Sequence, residues 1–391
     1  MGLDSREITP ELTSAIAFLA SEIRSFGRTA VALRRMLKQG VSTSTVRRIA
    51  EEVGLELTEE ALDGGDPEVV VPQAAVVSCD GGRIRTRQPG HGRGVHPSGE
   101  NGWRETKNAS LERMTLPDPG GGEDPCPDLP TTFRTAARVA KITEKPGPNV
   151  DPPPDAETQR VRYAGPQRLL RTVLASMASS EDFGPMMERE ARRRRFFESP
   201  RRAFVGDGLP WNWTIWRKHF RSFVPILDFI HAIHYVFNAA MCLASEAADG
   251  WHAYVRSITL CWQGHVDEVI REWTDACRHR GIDVEGKLPD DDPHKALLDA
   301  VRYLKNNRSR MDYPRYRRLG LPVTSSPMES LVKQINLRVK GTEMFWDDPD
   351  GAEAILRLRA ASLSDDGRLD RHLATRPGCP FVRRTTPANA T

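Results

Sequence analysis

Two kinds of pattern succeed one another along this chain, and their order limits what it can fold into. Between residues 69 and 228 short strand-like runs recur: 69–79, then 83–87 with alternation, 102–111, Leu169–Ala175, Ala203–Val205 and Phe223–Asp228. A helix, Glu181–Phe197, interrupts them. From Phe229 to about residue 310 the pattern is helical throughout, in Phe229–Leu243, His252–Trp262, His265–His279 and His294–Asn306. Strands first and then a long helical block predict a mixed α/β (α+β) fold carrying an all-helical insertion.

The first sixty residues read differently. Leu12, Ile16, Leu19, Ile23 and Phe26 recur at three- and four-residue steps and form one apolar helical face. A second helix is expected over 27–37, and a third after Gly40 and Ser42, carrying Ser44, Thr45, Arg47 and Arg48. A short helix, a turn and a polar, basic helix have the sequence shape of a helix-turn-helix reader, with Arg47 and Arg48 as candidate DNA contacts. Many small helical bundles share that shape. Asp63-Gly64-Gly65-Asp66-Pro67-Glu68 reads as a linker, and the Gly- and Pro-rich stretches at 88–101, 117–130 and 145–159 read as flexible loops. The expected organisation is a helical region at 1–62, the first part of a core at 69–231, a helical insertion at 232–310, completion of the core at 311–365 and a tail at 366–391.

Composition narrows the function classes. Over 391 residues, 39% hydrophobic and 28% charged content fit a soluble globular protein. No apolar run approaches the roughly 18 residues that a bilayer span needs, and the N-terminus lacks a signal pattern, so a cytoplasmic protein is expected. Six scattered cysteines without CxxC spacing argue against a zinc site or disulfide framework. His91 and His96 lack a third partner and are not expected to hold a metal. The net charge of +3 says little, but arginines cluster at 192–195, at 201–202 and at 315, 317 and 318. Such clusters either neutralise phosphates or line a solvated helix face.

Three acids stand out. Asp80 ends the run Ala74-Ala75-Val76-Val77-Ser78-Cys79, Asp207 ends Arg202-Ala203-Phe204-Val205-Gly206, and Glu329 opens a helix after Ser326-Pro327-Met328. Carboxylates at the mouths of buried strands are costly unless a charge meets them, and hard divalent cations prefer oxygen ligands. Two strand-end aspartates and a helix glutamate suit metal-dependent phosphoryl transfer. Each also has a structural alternative: a turn aspartate before glycine for Asp80 and Asp207, and a capping box for Glu329. Lys333 lies one helical turn beyond Glu329, as an ion-pair partner or a phosphate contact, and Arg338 and Lys340 extend the basic side. No nucleophile elbow, HExxH or phosphate-loop pattern is present.

At these residues the chain resembles bacterial insertion-sequence transposases of the DDE type, the ISKra-like group related to Mutator-like elements. The matching segments, in the family's order, include Val77-Ser78-Cys79-Asp80-Gly81-Gly82-Arg83, Gly102-Trp103-Arg104-Glu105-Thr106-Lys107 and Gly206-Asp207-Gly208-Leu209-Pro210-Trp211-Asn212-Trp213. They continue with Ile226-Leu227-Asp228-Phe229-Ile230-His231-Ala232, Gly320 to Ser330 and Lys333 to Trp346. The resemblance implies an RNase H-like catalytic core with its helical insertion between the second aspartate and the glutamate. It implies that Asp80, Asp207 and Glu329 bind Mg²⁺ (or Mn²⁺), with Asp228 and His231 as active-site neighbours and Trp262 near DNA bases. The activity implied is cleavage at element ends and strand transfer into target DNA. The partners implied are double-stranded DNA and a second copy of the chain, because two ends must be held together. Two alternatives remain: a non-catalytic DNA-binding remnant or repressor, and an RNase H-like nuclease without the joining step.

Overall fold

The computed structural model describes residues 8–38, 40–58, 70–87, 102–116, 122–147, 165–324, 326–341, 344–346 and 349–376, with Ser326 and Pro327 described in backbone only. His91, His96, the 63–68 linker and the 88–101 loop lie outside these residues.

A five-stranded mixed sheet organises the chain. Its strands are β1 (Ala74–Arg85), β2 (Trp103–Met114), β3 (Arg168–Ser176), β4 (Arg201–Gly206) and β5 (Val224–Leu227), in the order β3-β2-β1-β4-β5. β1 pairs antiparallel with β2 and β2 with β3, whereas β4 runs parallel to β1 and β5 parallel to β4. The helices are α1 (Pro10–Glu22), α2 (Phe26–Leu37), α3 (Thr43–Glu56), α4 (Ala136–Thr143), α5 (Ser180–Arg193), α6 (Pro210–His219), α7 (Phe229–Leu243), α8 (Ala247–Trp262), α9 (Val266–His279), α10 (Lys295–Asn307), α11 (Tyr313–Arg318), α12 (Ser326–Val339), α13 (Pro349–Ser362) and α14 (Arg368–Thr375).

The strands feed two cores. On β3, Leu174 belongs to one core, while its neighbours Val173 and Ala175 belong to the other. The first core holds Phe204, Trp213, Phe229, Tyr254, Trp262 and Leu304. The second joins Ile16, Leu33, Ile49 and Val53 of α1–α3 to Met328, Leu331, Ile335 and Ile355 of α12 and α13. The N-terminal helices therefore share a core with the helix that carries Glu329. Ser42 caps α3, accepting from the Thr45 N–H at 3.1 Å. Gly54 brings α3 into backbone contact with α13, since a Cβ there would overlap the Ala354 carbonyl.

Two expectations change. β1 does not stop at Asp80 but runs on to Arg85, with Gly81 opposite Lys107 and Gly82 opposite Thr106. Gly82 permits this, because a Cβ on it would come within 2.6 Å of the Thr106 hydroxyl. The later part of the 117–130 stretch is also not loose. Leu129 is buried, and Asp124 forms an ion pair with the buried Arg317.

Candidate metal centre

Parallel register places three aspartates on one line across the sheet. Cys79 stands opposite Gly206, and Gly206 opposite Leu227. One residue further along each strand come Asp80, Asp207 and Asp228. β4 and β5 end just before their aspartates while β1 runs on past Asp80, and the Asp228 N–H still donates to the Gly206 carbonyl at 2.9 Å. α12 supplies Glu329 from its first turn.

Each side chain is held locally. Asp80 Oδ1 accepts from the Gly81 N–H at 2.6 Å. Gly208 adopts a left-handed φ of +99°, a turn that brings the Leu209 N–H back to Asp207 Oδ1 at 2.9 Å. The Asn212 side-chain amide donates to the same oxygen. Tyr303 of α10 donates to the Asp207 carbonyl at 2.6 Å and stacks on Tyr235 of α7 with ring centroids 3.7 Å apart. The helical block thus braces the backbone of the second aspartate. Asp228 is fully buried and caps α7, accepting from the Ile230 N–H at 3.1 Å. Its other oxygen lies 2.8 Å from His231 Nδ1, one helical turn on.

Electrostatically the cluster is short of positive charge. Burial and the Asp207 charge push the Asp80 carboxyl up to about 6, against the opposing pull of His231. Burial likewise raises Asp207, although the Leu209 N–H and His231 oppose it. Burial and the Asp228 charge raise Glu329, while His231 and the exposed Lys333 pull it down. Burial alone would lower His231, but its hydrogen bond to Asp228 and the aspartate charges outweigh it and lift the imidazole to about 9.

The residues fit a hard divalent cation, being rich in oxygen, crowded with like charge and half-open to solvent. Among the described residues, the set whose ligand atoms all lie within 4.8 Å of one another is Asp228, His231 and Glu329. The expected trio is therefore brought into one electrostatic cluster, while the tightest grouping replaces Asp80 and Asp207 by the expected neighbours. Ser326, the proposed cap of α12, lies outside the described side chains.

The other expected site residues fare unequally. Lys340 is exposed, with Nζ 5.5 Å from the Trp103 ring centre. Arg47 and Arg48 point outward on α3 but pair with Glu51 at 2.7 Å and Glu52 at 3.4 Å. Arg338 is corrected: it is fully buried, donates from Nε to the Ala20 carbonyl at 2.5 Å, and lies over the rings of Phe26 and Trp346. Its work is to tie α12 to α1 and α2, so it offers DNA no charge in this conformation. Trp262 is corrected in the same way. Its ring packs against Arg317 at 4.1 Å and Phe229 at 4.9 Å, and its N–H donates to the Cys126 carbonyl at 2.9 Å. One edge of it lines a cavity of about 610 Å³ shared with Phe133, Val323 and Thr324.

Two of the arginine clusters are also partly internal. Arg194 and Arg368 pair with Glu190 and Asp366 in the interior, and Arg317 pairs with Asp124. Asn212, Tyr235 and Tyr303 support the site but were not singled out from sequence. Asn212 follows Asp207 by five residues, while nothing in the α10 pattern distinguishes Tyr303 from an ordinary core residue.

No protein-family model matches the chain, and no curated protein matches it.

Proposed function

We propose that this chain is a DDE-type DNA transposase with an RNase H-like core, in which the acids around Asp80, Asp207, Asp228 and Glu329 bind Mg²⁺ or Mn²⁺. The observation that carries the reading is the line of three aspartates across β1, β4 and β5, met by Glu329 from α12 after an all-helical block. The strand order β3-β2-β1-β4-β5 supports the RNase H-like assignment. Like charges pushed together against their own ionisation call for an external cation, and a divalent ion satisfies them where a single imidazole does not.

A bound divalent ion supplies Lewis-acid stabilisation of the charge that builds on phosphate oxygens. The chain's own residues do the rest. Asp80, Asp207, Asp228 and Glu329 would present the oxygens that hold the ion. Asp228 orients His231 through Nδ1. Lys333, exposed one turn beyond Glu329, would meet a phosphate of the scissile strand. Cleavage by water and joining by a 3′-hydroxyl are the same in-line displacement at phosphorus, so one site serves both.

The test is a labelled duplex carrying the element end, assayed for cleavage and strand transfer with Mg²⁺. Asp80→Ala, Asp207→Ala and Glu329→Ala each abolish both products. Activity retained by any of the three overturns the assignment. Cleavage without joined product makes the chain a nuclease, and salt-sensitive binding without cleavage makes it a DNA-binding remnant.

A further inference from the structure

We infer that Asn212 is a positioning residue for Asp207, held in its working orientation by the Cys79 thiol; this rests on the metal-dependent reading above. Asn212 is wholly buried on the first turn of α6. Its Nδ2 donates to Asp207 Oδ1, the oxygen that also takes the Leu209 N–H. Its Oδ1 faces Cys79, whose Sγ lies 3.6 Å away as donor. An ionised carboxylate only accepts, and the Cys79 thiol stands as donor to Asn212 Oδ1. One orientation of the amide satisfies both neighbours, with nitrogen toward Asp207 and oxygen toward sulfur.

The backbone is shaped for this chain of bonds. Gly206 leaves room for the amide, since a Cβ there would stand 3.3 Å from Asn212 Nδ2 and 3.2 Å from the Trp213 ring. Cys79 and Gly206 are ladder partners, so the thiol and the glycine lie side by side, one residue before the two aspartates. With Oδ1 saturated by two donors, the Asp207 carboxylate is fixed about its side-chain torsions and Oδ2 is the oxygen left for a cation. Outer partners of this kind set ligand orientation and are commonly worth about tenfold to a hundredfold in metal affinity.

The experiment titrates the full-length, metal-free protein with Mn²⁺, followed by calorimetry and by electron paramagnetic resonance, with a thermal melt of each variant. Asn212→Leu, close in volume but without the amide, weakens Mn²⁺ binding by about tenfold or more while the metal-free melt shows a folded protein. Cys79→Ala weakens it by less, and Cys79→Ser, which keeps a donor, restores affinity close to that of the unaltered chain. If Asn212→Leu does not fold, Asn212→Ser, too short to reach Asp207, replaces it with the same expected loss. Unchanged affinity in the folded Asn212 variant overturns the positioning role and leaves the metal centre standing. An unaltered chain that binds no Mn²⁺ overturns the metal centre, and the role of Asn212 falls with it.

Discussion

The molecule contains two acidic clusters built on opposite principles. Between α5 and α14, Glu190 and Asp366 are buried with Arg194 and Arg368, with contacts of 3.0 Å from Arg194 to Glu190 and 2.7 Å from Arg368 to each acid. Burial would raise Asp366, but the Arg368 charge and hydrogen bonds outweigh it and hold the carboxyl at about 2. At the end of the sheet, Asp80 is pushed the other way, to about 6, with His231 the principal nearby cation. The first cluster is electrically complete and serves the fold. The second is incomplete, and that incompleteness is what a cation would relieve. A carboxylate's neighbours, more than its burial, set the direction in which each carboxyl is pushed here.

The comparison is most exposed to failure at the complete cluster. Asp366→Ala strands buried arginines and is expected to cost about 3–5 kcal/mol in denaturant unfolding at neutral pH. Asp366 has a folded-state pKa below its unfolded one, so its contribution is present above about pH 4 and is lost as pH falls through about 2. A loss no larger than that of a surface substitution breaks the contrast.

At the incomplete cluster the sign reverses. Asp80 has a folded-state pKa above its unfolded one, so its ionisation destabilises the metal-free fold as pH rises from about 4 through 6. Asp80→Asn is therefore expected to stabilise the metal-free protein at pH 7 by about 1–2 kcal/mol, with the gain fading below pH 4. Thermal melts across pH with chelator present check this, and destabilisation at pH 7 counts against a repulsive cluster.

His231 is the internal counter-charge. Its raised pKa gives stability that is full below about pH 6.5 and lost as pH rises through 9. His231→Gln should lower metal-free stability at pH 6 by about 1 kcal/mol and match the unaltered chain above pH 9. A pH-independent difference would mean that the imidazole acts by packing alone.

The smallest effect is expected on α3. Arg47→Ala and Arg48→Ala remove exposed i,i+4 pairs worth about 0.3–0.5 kcal/mol. If α3 reads DNA, each should also lower the salt dependence of duplex binding by about one ion. An unchanged slope places DNA on another surface.

Much of this was written locally in the sequence. The limits of α7, Phe229 to Leu243, follow from an unbroken apolar helix behind a capping aspartate. β4 ends at Gly206, directly before Asp207, because a short apolar run meets an Asp-Gly turn. What depended on partners far along the chain was not legible. Asp80 sits mid-strand because Lys107 and Thr106 continue the ladder past the glycines. Arg338 reads as a basic surface residue until α1 and α2 cover it with Ala20 and Phe26. Arg194 and Arg317 sit in basic runs, and Asp366 and Asp124, which pair with them, are more than a hundred residues away in sequence, although Arg194 also meets the local Glu190.

The sequence by itself determined most of the strands and the long helices up to residue 310 and named the acids, because periodicity, caps and glycine turns act over a few residues. The tertiary structure alone decided which acids meet. Parallel register put Asp228 on the line with Asp80 and Asp207, and α12 carried Glu329 to it. The same packing decided which charges were answered. Charge pairing is set by distance in space, and strand register and helix docking fix that distance only when the cores on both faces of the sheet close.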